Sequence, residues 1–355
     1  MDRTKGKDDL HGDTKEQSGF AMPRLLRTII PGAALCLAVT LGAFALGGAE
    51  TALFGRDWLE ALVLAILIGA LIRSLWTPPE RFTAGIRFTA QYPLELAILL
   101  LGATLDTKLV LAAGLPLVAG IAGVVALAIA ASYLVGRGVG LSHRMALLVA
   151  AGNSICGNSA IAAVAPVIGA DSDDVAASIA FTAVLGVATV LLLPVLAVLL
   201  GLTNLQFGVV AGLTVYAVPQ VIAATAPVAF ASVQMGTLVK LLRVLMLGPV
   251  MAAMALLGKG RADGRMSFTR FVPWFLIGFA LAAAARSAGL VPDVAMAPIH
   301  GATTLLTVLS MAALGLGVDI RMLRRAGGRV ALAAMLSLIV LGAMSLALVH
   351  MLAIA

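Results

Sequence analysis

Apolar residues run along this chain in windows of twenty or so positions, separated by short breaks of charge, proline and glycine. A helix needs roughly 20 apolar residues to cross the hydrocarbon core of a bilayer. Eleven windows of that kind can be read, at 26–47, 58–75, 88–105, 109–135, 145–168, 175–200, 207–229, 232–257, 271–289, 296–317 and 330–354. Each predicts a helix, because lipid offers no partner to backbone N–H and C=O groups and the segment must pair them internally. The first twenty-odd residues are polar and mixed in charge (Lys5, Lys7, Asp8, Asp9, Asp13, Lys15, Glu16) and too poor in apolar side chains to fold alone. Their length and interrupting acids also argue against a cleaved secretory signal. The expected fold is all-α: a polytopic membrane protein of about 11 transmembrane helices. A disordered cytoplasmic tail covers 1–24 and a single membrane domain covers 25–355.

Composition agrees with this pattern. Hydrophobic residues make up 61% of 355 positions, charged residues 12%, and mean hydropathy is +1.07. A soluble domain of this size would carry an enormous apolar surface. The net charge of +7 would suggest nucleic acid in a soluble protein. In a membrane protein it reflects basic residues retained on the cytoplasmic side, so no nucleic-acid partner is expected. With the N-terminus inside, Arg73, Arg81, Arg87, Arg137 and Arg144 fall in inner loops, as do the basic groups at 259–270 and 321–329. The outer side receives only Arg56 and Lys108, so the C-terminus is expected outside. The acidic loop of Asp171, Asp173 and Asp174 also falls outside in this assignment. Cys36 and Cys156 form no CxxC pair and have no histidine cluster nearby, so neither a disulfide framework nor a metal site is indicated, and no cofactor is expected.

Two helix ends share the pattern L-G-x-x-φ-D-x-basic, where φ is apolar: LGATLDTK at 101–108 and LGLGVDIR at 314–321. In the topology above they run antiparallel, as inverted repeats of secondary transporters do, although ordinary helix capping gives the same pattern. A second likeness, GNSAIAAVAP at 157–166 and VPQVIAATAP at 218–227, is parallel in that topology and carries no weight there.

The most informative stretch is polar and lies within the fifth window: Gly152, Asn153, Ser154, Cys156, Gly157, Asn158 and Ser159. Backbone leaves helical geometry at membrane depth only where protein or a watery cavity satisfies it, so a break here points to a binding site. Half-helix N-termini at such breaks attract anions, and Asn and Ser replace hydration without fixed charge. A continuous helix using small residues for close packing is the alternative. In the seventh window Pro219 removes a backbone donor, marking either a second discontinuity or a simple kink, with Gln220 as a neutral lining group. Lys240 and Arg243 lie three residues apart near the middle of the eighth window, on one helix face. Charges at that depth are costly and usually functional: the pair either faces a cavity and favours an anion or neutralises an acid, for which Glu95 in the third window is the clearest partner. His300 reads as an interfacial or packing residue and Arg286 as snorkelling outward.

The run GNSICGNSAI at 152–161, followed by Ala165-Pro166 and by VKLLRVLMLGP at 239–249, resembles the bacterial sulfate exporter family of the YeiH type, conserved-hypothetical inner-membrane proteins. The likeness extends over nearly the whole membrane region. It implies an inner-membrane transporter with a fold similar to bile-acid symporters and cation/proton antiporters: a panel domain, a core with crossed broken helices and elevator-like alternating access. By position it implies that Asn153, Ser154, Cys156, Gly157, Asn158 and Ser159 lie at the broken helix and that Lys240 and Arg243 match a basic helix. The chain departs from the pattern where a His or Asn followed by an acid is expected before the second break, since it has Tyr216 and Ala217. Coupling through that position is therefore not implied.

The expected function is secondary transport of sulfate or a related small inorganic or organic anion, with the lipid bilayer as surroundings and a homodimer left open. A cation/proton antiporter is the alternative, and it would need a carboxylate to exchange proton for ion; Glu95 is the only acid well inside a window. A membrane enzyme is less expected, for want of an intramembrane His/Asp/Glu constellation, a Ser–His pairing or a nucleotide loop.

Overall fold

In a computed structural model of the chain, the described residues are 21–54, 60–104, 107–257, 274–318, 328–352 and 354. The tail at 1–20, the basic loops at 258–273 and 319–327, and Arg56 lie outside them, as do parts of both copies of the L-G-x-x-φ-D-x-basic pattern. Among the described residues every regular element is a helix. They are α1 (Ala21–Phe54), α2 (Ala61–Leu75), α3 (Glu80–Gly102), α4 (Thr107–Gly138), α5 (His143–Ser154), α6 (Asn158–Ile168), α7 (Ser172–Leu199), α8 (Asn204–Thr214), α9 (Val218–Thr225), α10 (Phe230–Leu245), α11 (Leu247–Leu257), α12 (Trp274–Ser287), α13 (Met296–Gly317) and α14 (Gly328–Met351). Six stretches are long and apolar enough to cross a membrane: Thr28–Leu53, Gly114–Gly138, Ser172–Leu199, Phe230–Met251, Asp293–Gly317 and Gly328–Met351.

Eight of the eleven windows correspond to one helix each, and 232–257 is α10 followed by α11. The windows at 145–168 and 207–229 depart from expectation, because each is a pair of short helices folded back on itself. Asp171, just beyond α6, lies 3.8 Å from Arg144 at the start of α5. Near the tip, a Cβ on Gly152 of α5 would meet the Ile161 side chain of α6. The acidic loop therefore sits beside Arg144, at the end where α5 begins, and not at the opposite end. In the second pair, Ser232 near the start of α10 donates to the carbonyl of Asn204 at the start of α8, 2.7 Å. Since α9 ends only a few residues before α10 begins, α9 must return to the end from which α8 set out. Close approaches of Gly208 to Met235 and of Gly212 to Val239 show α8 and α10 running parallel.

The two hairpins enter from opposite ends. Ser178 near the start of α7 donates to the sulfur of Met145 near the start of α5, so the first hairpin enters where α7 begins. The second starts at Asn204, just past Leu199 where α7 ends.

The helices form two bundles. In one, α1, α2, α3, α12 and α13 pack together; in the other, the two hairpins are surrounded by α4, α7, α10, α11 and α14, and α9 reaches across to α2 and α13. The first bundle is drawn tight by backbone-to-backbone contact. A Cβ on Gly32 would lie 2.1 Å from the carbonyl oxygen of Phe82, and one on Gly315 would lie 2.4 Å from that of Ile66. Small residues of this kind let helices approach closely in lipid, where association relies on packing.

The fold-back makes a direct prediction about sidedness. A membrane-impermeant maleimide applied to intact cells or inverted vesicles will label Ser142→Cys and Ser172→Cys from the same face and Thr203→Cys from the other. Labelling of positions 142 and 172 from opposite faces would restore a continuous fifth span.

Candidate functional site

Both hairpins turn because their sequences stop helix propagation midway. Helix α5 starts at Ser142, whose hydroxyl accepts from the Met145 amide at 3.1 Å, a standard N-cap. It ends at Gly152-Asn153-Ser154, residues of weak helix propensity, and Ile155 departs to φ −121°, ψ −85°. Gly157 then adopts φ 66°, ψ −123°, a conformation that L side chains rarely enter. A Cβ there would also come within 3.1 Å of Tyr216 Cβ. Helix α8 starts with a capping box between Thr203 and Gln206 and ends at Thr214, and Val215 and Ala217 are extended. Pro219 sits in the first turn of α9, where its missing N–H costs nothing. The Gln220 side-chain oxygen accepts from the Ala217 amide at 3.2 Å. Pro219 therefore opens a new helix at a true discontinuity and does not merely kink a long one.

The two tips meet. Tyr216 Oη donates to Asn153 Oδ1 at 2.8 Å, joining the second turn to the first. Two cations from α10 then bind the turns together. Lys240 Nζ donates at 2.7 Å to the carbonyls of both Ile155 and Val215. Arg243 donates through Nε to the Ser154 carbonyl at 2.6 Å, through Nη1 to that of Val215 at 3.3 Å and through Nη2 to that of Asn153. Both side chains are fully buried. Their partners are the last carbonyls of α5 and α8, the groups that a helix C-terminus leaves without intrahelical donors. A positive charge there also offsets the negative end of each helix dipole.

This arrangement corrects two sequence expectations. Lys240 and Arg243 do not line an open cavity; their donors are directed at backbone. Glu95 is not their partner either, because it lies in the other bundle and accepts from Trp274 Nε1 at 2.7 Å and from Gln91 Nε2 at 2.9 Å. Arg286 and His300 are engaged locally, Arg286 with Asp293 at 3.0 Å and His300 edge-on to the Phe230 ring at 4.8 Å between centroids.

The other predicted residues surround the crossing. Asn153 and Ser154 are buried, and Asn153 Nδ2 and Ser154 Oγ find no protein partner. Buried polar atoms are seldom left unpaired, so these two are available to water or a ligand. Asn158 and Ser159 are exposed in the first turn of α6, an N-terminus without a side-chain cap. Cys156 is half-buried beside the Ser159 hydroxyl and the Ala160 amide. Gln220 is buried against Gly186 of α7, where a Cβ would lie 2.5 Å from its amide nitrogen. Sequence reasoning missed Thr182, whose hydroxyl donates to Asn158 Oδ1, because nothing distinguishes it within the uniformly apolar α7. It singled out Tyr216 only as a departure from a family pattern and did not anticipate its bond to Asn153.

The crossing therefore holds two buried basic side chains, two helix C-termini already paired with them, two helix N-termini, and the neutral side chains of Asn153, Ser154, Asn158, Ser159, Tyr216 and Gln220. Such a centre can receive a negatively charged group through hydroxyl, amide and backbone N–H donors.

The family model described as Conserved hypothetical protein 698 matches residues 31–334. A UPF0324 membrane protein of Brucella melitensis is 57% identical over 339 residues, which cover 94% of this chain and 95% of that protein. One of Agrobacterium fabrum is 53% identical over 326 residues, covering 92% and 94%. One of Bacillus cereus is 33% identical over 292 residues, covering 81% and 86%. No solved structure matches the chain. The names of these relatives describe membrane proteins and state no substrate, so the sulfate that the sequence resemblance brought with it has no counterpart among them.

Replacing Lys240 by Met retains most of the length of the side chain but leaves the Ile155 carbonyl without a donor and the Val215 carbonyl with only the 3.3 Å bond from Arg243. At about 1–3 kcal/mol for an unsatisfied buried group, the cost is about 1–3 kcal/mol. Thermal melting of the detergent-solubilised protein will show Lys240→Met well below the parent and Lys240→Arg closer to it. Equal melting of Lys240→Met and parent would mean the lysine does not hold the tips together.

Proposed function

The chain belongs to the conserved hypothetical protein 698 family and is a bacterial membrane protein, and from that premise we propose that it is a secondary transporter of a small anion, sulfate being the first candidate. The observation that carries this reading is the pair of fully buried cations at the meeting of two opposed hairpins, with no carboxylate among their hydrogen-bond partners. In a low-dielectric interior a net positive centre attracts an anion and repels a metal cation. An antiporter of cations and protons needs a carboxylate that gives up its proton as the ion binds. The side chains at this crossing are neutral or basic, and Glu95 is occupied by Trp274.

The chain is read as crossing the inner membrane with its N-terminus inside. Among the described residues the fold-back leaves nine crossings on this reading, α1, α2, α3, α4, α7, α10–α11, α12, α13 and α14, with two re-entrant hairpins. Nine is odd, so the C-terminus is still outside and the basic loops remain inside, in accord with the positive-inside rule. Hairpin α5–α6 with α7 and hairpin α8–α9 with α10–α11 then form two units of opposite direction. The likeness of 157–166 to 218–227 falls on the return arms of the two hairpins and supports an inverted repeat. Alternating access would come from the hairpin bundle moving against the glycine-packed bundle.

The test is flux of radiolabelled sulfate into proteoliposomes, with sulfite and taurine as competitors. Lys240 and Arg243 are poor probes because their loss unseats the tips, so Asn158→Ala, at an exposed position, is the chosen variant. Parent protein will accumulate sulfate, and Asn158→Ala will do so at least about tenfold more slowly while melting near the parent, a loss equivalent to one good hydrogen bond to a charged ligand. Folded protein that moves no sulfate under imposed sulfate, proton or sodium gradients would remove sulfate as substrate.

A further inference from the structure

A cavity of about 500 Å³ lies between the two bundles, at the end where α8 and α10 begin. On the orientation proposed above this is the outer end. One wall comes from α1, α2 and α13, and the other from the end of α9 and the start of α10. Most of its surface is apolar, from Phe44, Leu62, Leu101, Ile222, Val233 and Val308. Its deep polar groups stand on one face of α13, at Thr303 and Thr307, with His300 one turn above. Thr307 gives its hydroxyl proton to the Thr303 carbonyl, 2.7 Å, whereas Thr303 Oγ1 is buried and finds no partner. Glu60 stands at the rim with Thr51.

A second unpaired hydroxyl continues inward. Thr237 is fully buried and its Oγ1 has no partner. Val233, Thr237 and Lys240 follow one another at i, i+4 and i+7, on one face of α10. The distance from Val233 to Lys240 along the helix is about 10 Å. Thr303, Thr237 and then Asn153 and Ser154 thus supply unsatisfied polar atoms from the cavity down to the basic pair, through walls that are otherwise apolar.

We infer that this cavity is an outer binding site for the transported ion, and that the ion is an amphipathic organic anion, an anionic head on a small apolar body, with Thr303 as its first hydrogen-bond donor and Thr237 as the next. The inference rests on the anion-transport reading and ranks an organic anion ahead of sulfate as the ion carried. Inorganic sulfate is compact and strongly hydrated, and an apolar wall returns nothing for the water it would shed. An apolar body of a few carbons gains from burial against that wall, and a volume of this size suits an organic molecule. On α1, Gly47 and Gly48 leave this wall without side chains, and a Cβ at Gly48 would meet nothing within 4 Å.

The probes are methane-, propane- and pentanesulfonate, which stay ionised at any working pH. Their binding to the purified full-length protein is read from the saturable rise in melting temperature and by titration calorimetry. Affinity is expected to rise about fourfold per methylene in the parent. Gly48→Leu, which fills the wall, will flatten the series without lowering the melting temperature of the free protein. Thr303→Val will weaken all three sulfonates by at least about tenfold, as loss of a hydrogen bond to a charged ligand does. A flat series in the parent, or a steep one unchanged in Gly48→Leu, overturns the organic-anion assignment; if sulfate still binds or is transported, the anion reading stands. Folded protein that binds neither sulfonates nor sulfate overturns both.

Discussion

Two helices that end against each other in the middle of an apolar interior create the constraint on which this structure depends. The last carbonyls of α5 and α8 point into the packed interior, where each such group left unpaired is costly. Neutral donors would satisfy the hydrogen bonds but not the converging negative ends of two helix dipoles. Lys240 and Arg243 do both, and their own charges are offset by the carbonyls that receive them. Much of the surrounding packing follows from bringing α10 close enough to deliver them. A Cβ on Gly212 would lie 2.5 Å from the Gly236 carbonyl, and one on Gly208 would meet Met235 and Ser232, so α8 and α10 touch along backbone. The basic pair is thus a structural keystone first, and its field is available to a ligand second.

Hydropathy made the long helices legible, since length and apolar content decide whether a segment is helical in lipid. It is blind to direction. Helices α5 and α6 together contain about as many apolar residues as one crossing helix, so the window at 145–168 reads alike whether the chain traverses or turns back. What separates the two is tertiary: Asp171 beside Arg144 and Ser232 beside Asn204. The polar run at 152–159 was legible as a break because Asn, Ser and Gly weaken a helix wherever they cluster. The role of the bases was not. Lys240 meets a carbonyl 85 positions away and Arg243 one 90 positions away, and carbonyls are the same at every position, so no side-chain pattern could announce them. Glu95 looked like the partner because it is the acid a charge count finds; in the fold it belongs to a helix in the other bundle.

The two bundles differ in how they are held. One is closed by glycine contacts, Gly32 against α3 and Gly315 against α2, which leave no side chain to slide or repack. The other is organised around the hairpin tips and meets the first through α7, α9 and α10. These contacts are few compared with the packing within either bundle. Relative movement of the bundles therefore disturbs little, and the cavity beside α9 marks where they are already parted.

With the two hairpins entering from opposite faces, as proposed, the barrier between those faces includes the contact of Asn153 with Tyr216. An electrical potential across the membrane falls most steeply over the thinnest insulating layer. A unit charge moved through a full 100 mV does work of about 2.3 kcal/mol. A charge carried past this contact would do part of that work beside Lys240 and Arg243. The rate at which any ion passes there should depend on voltage.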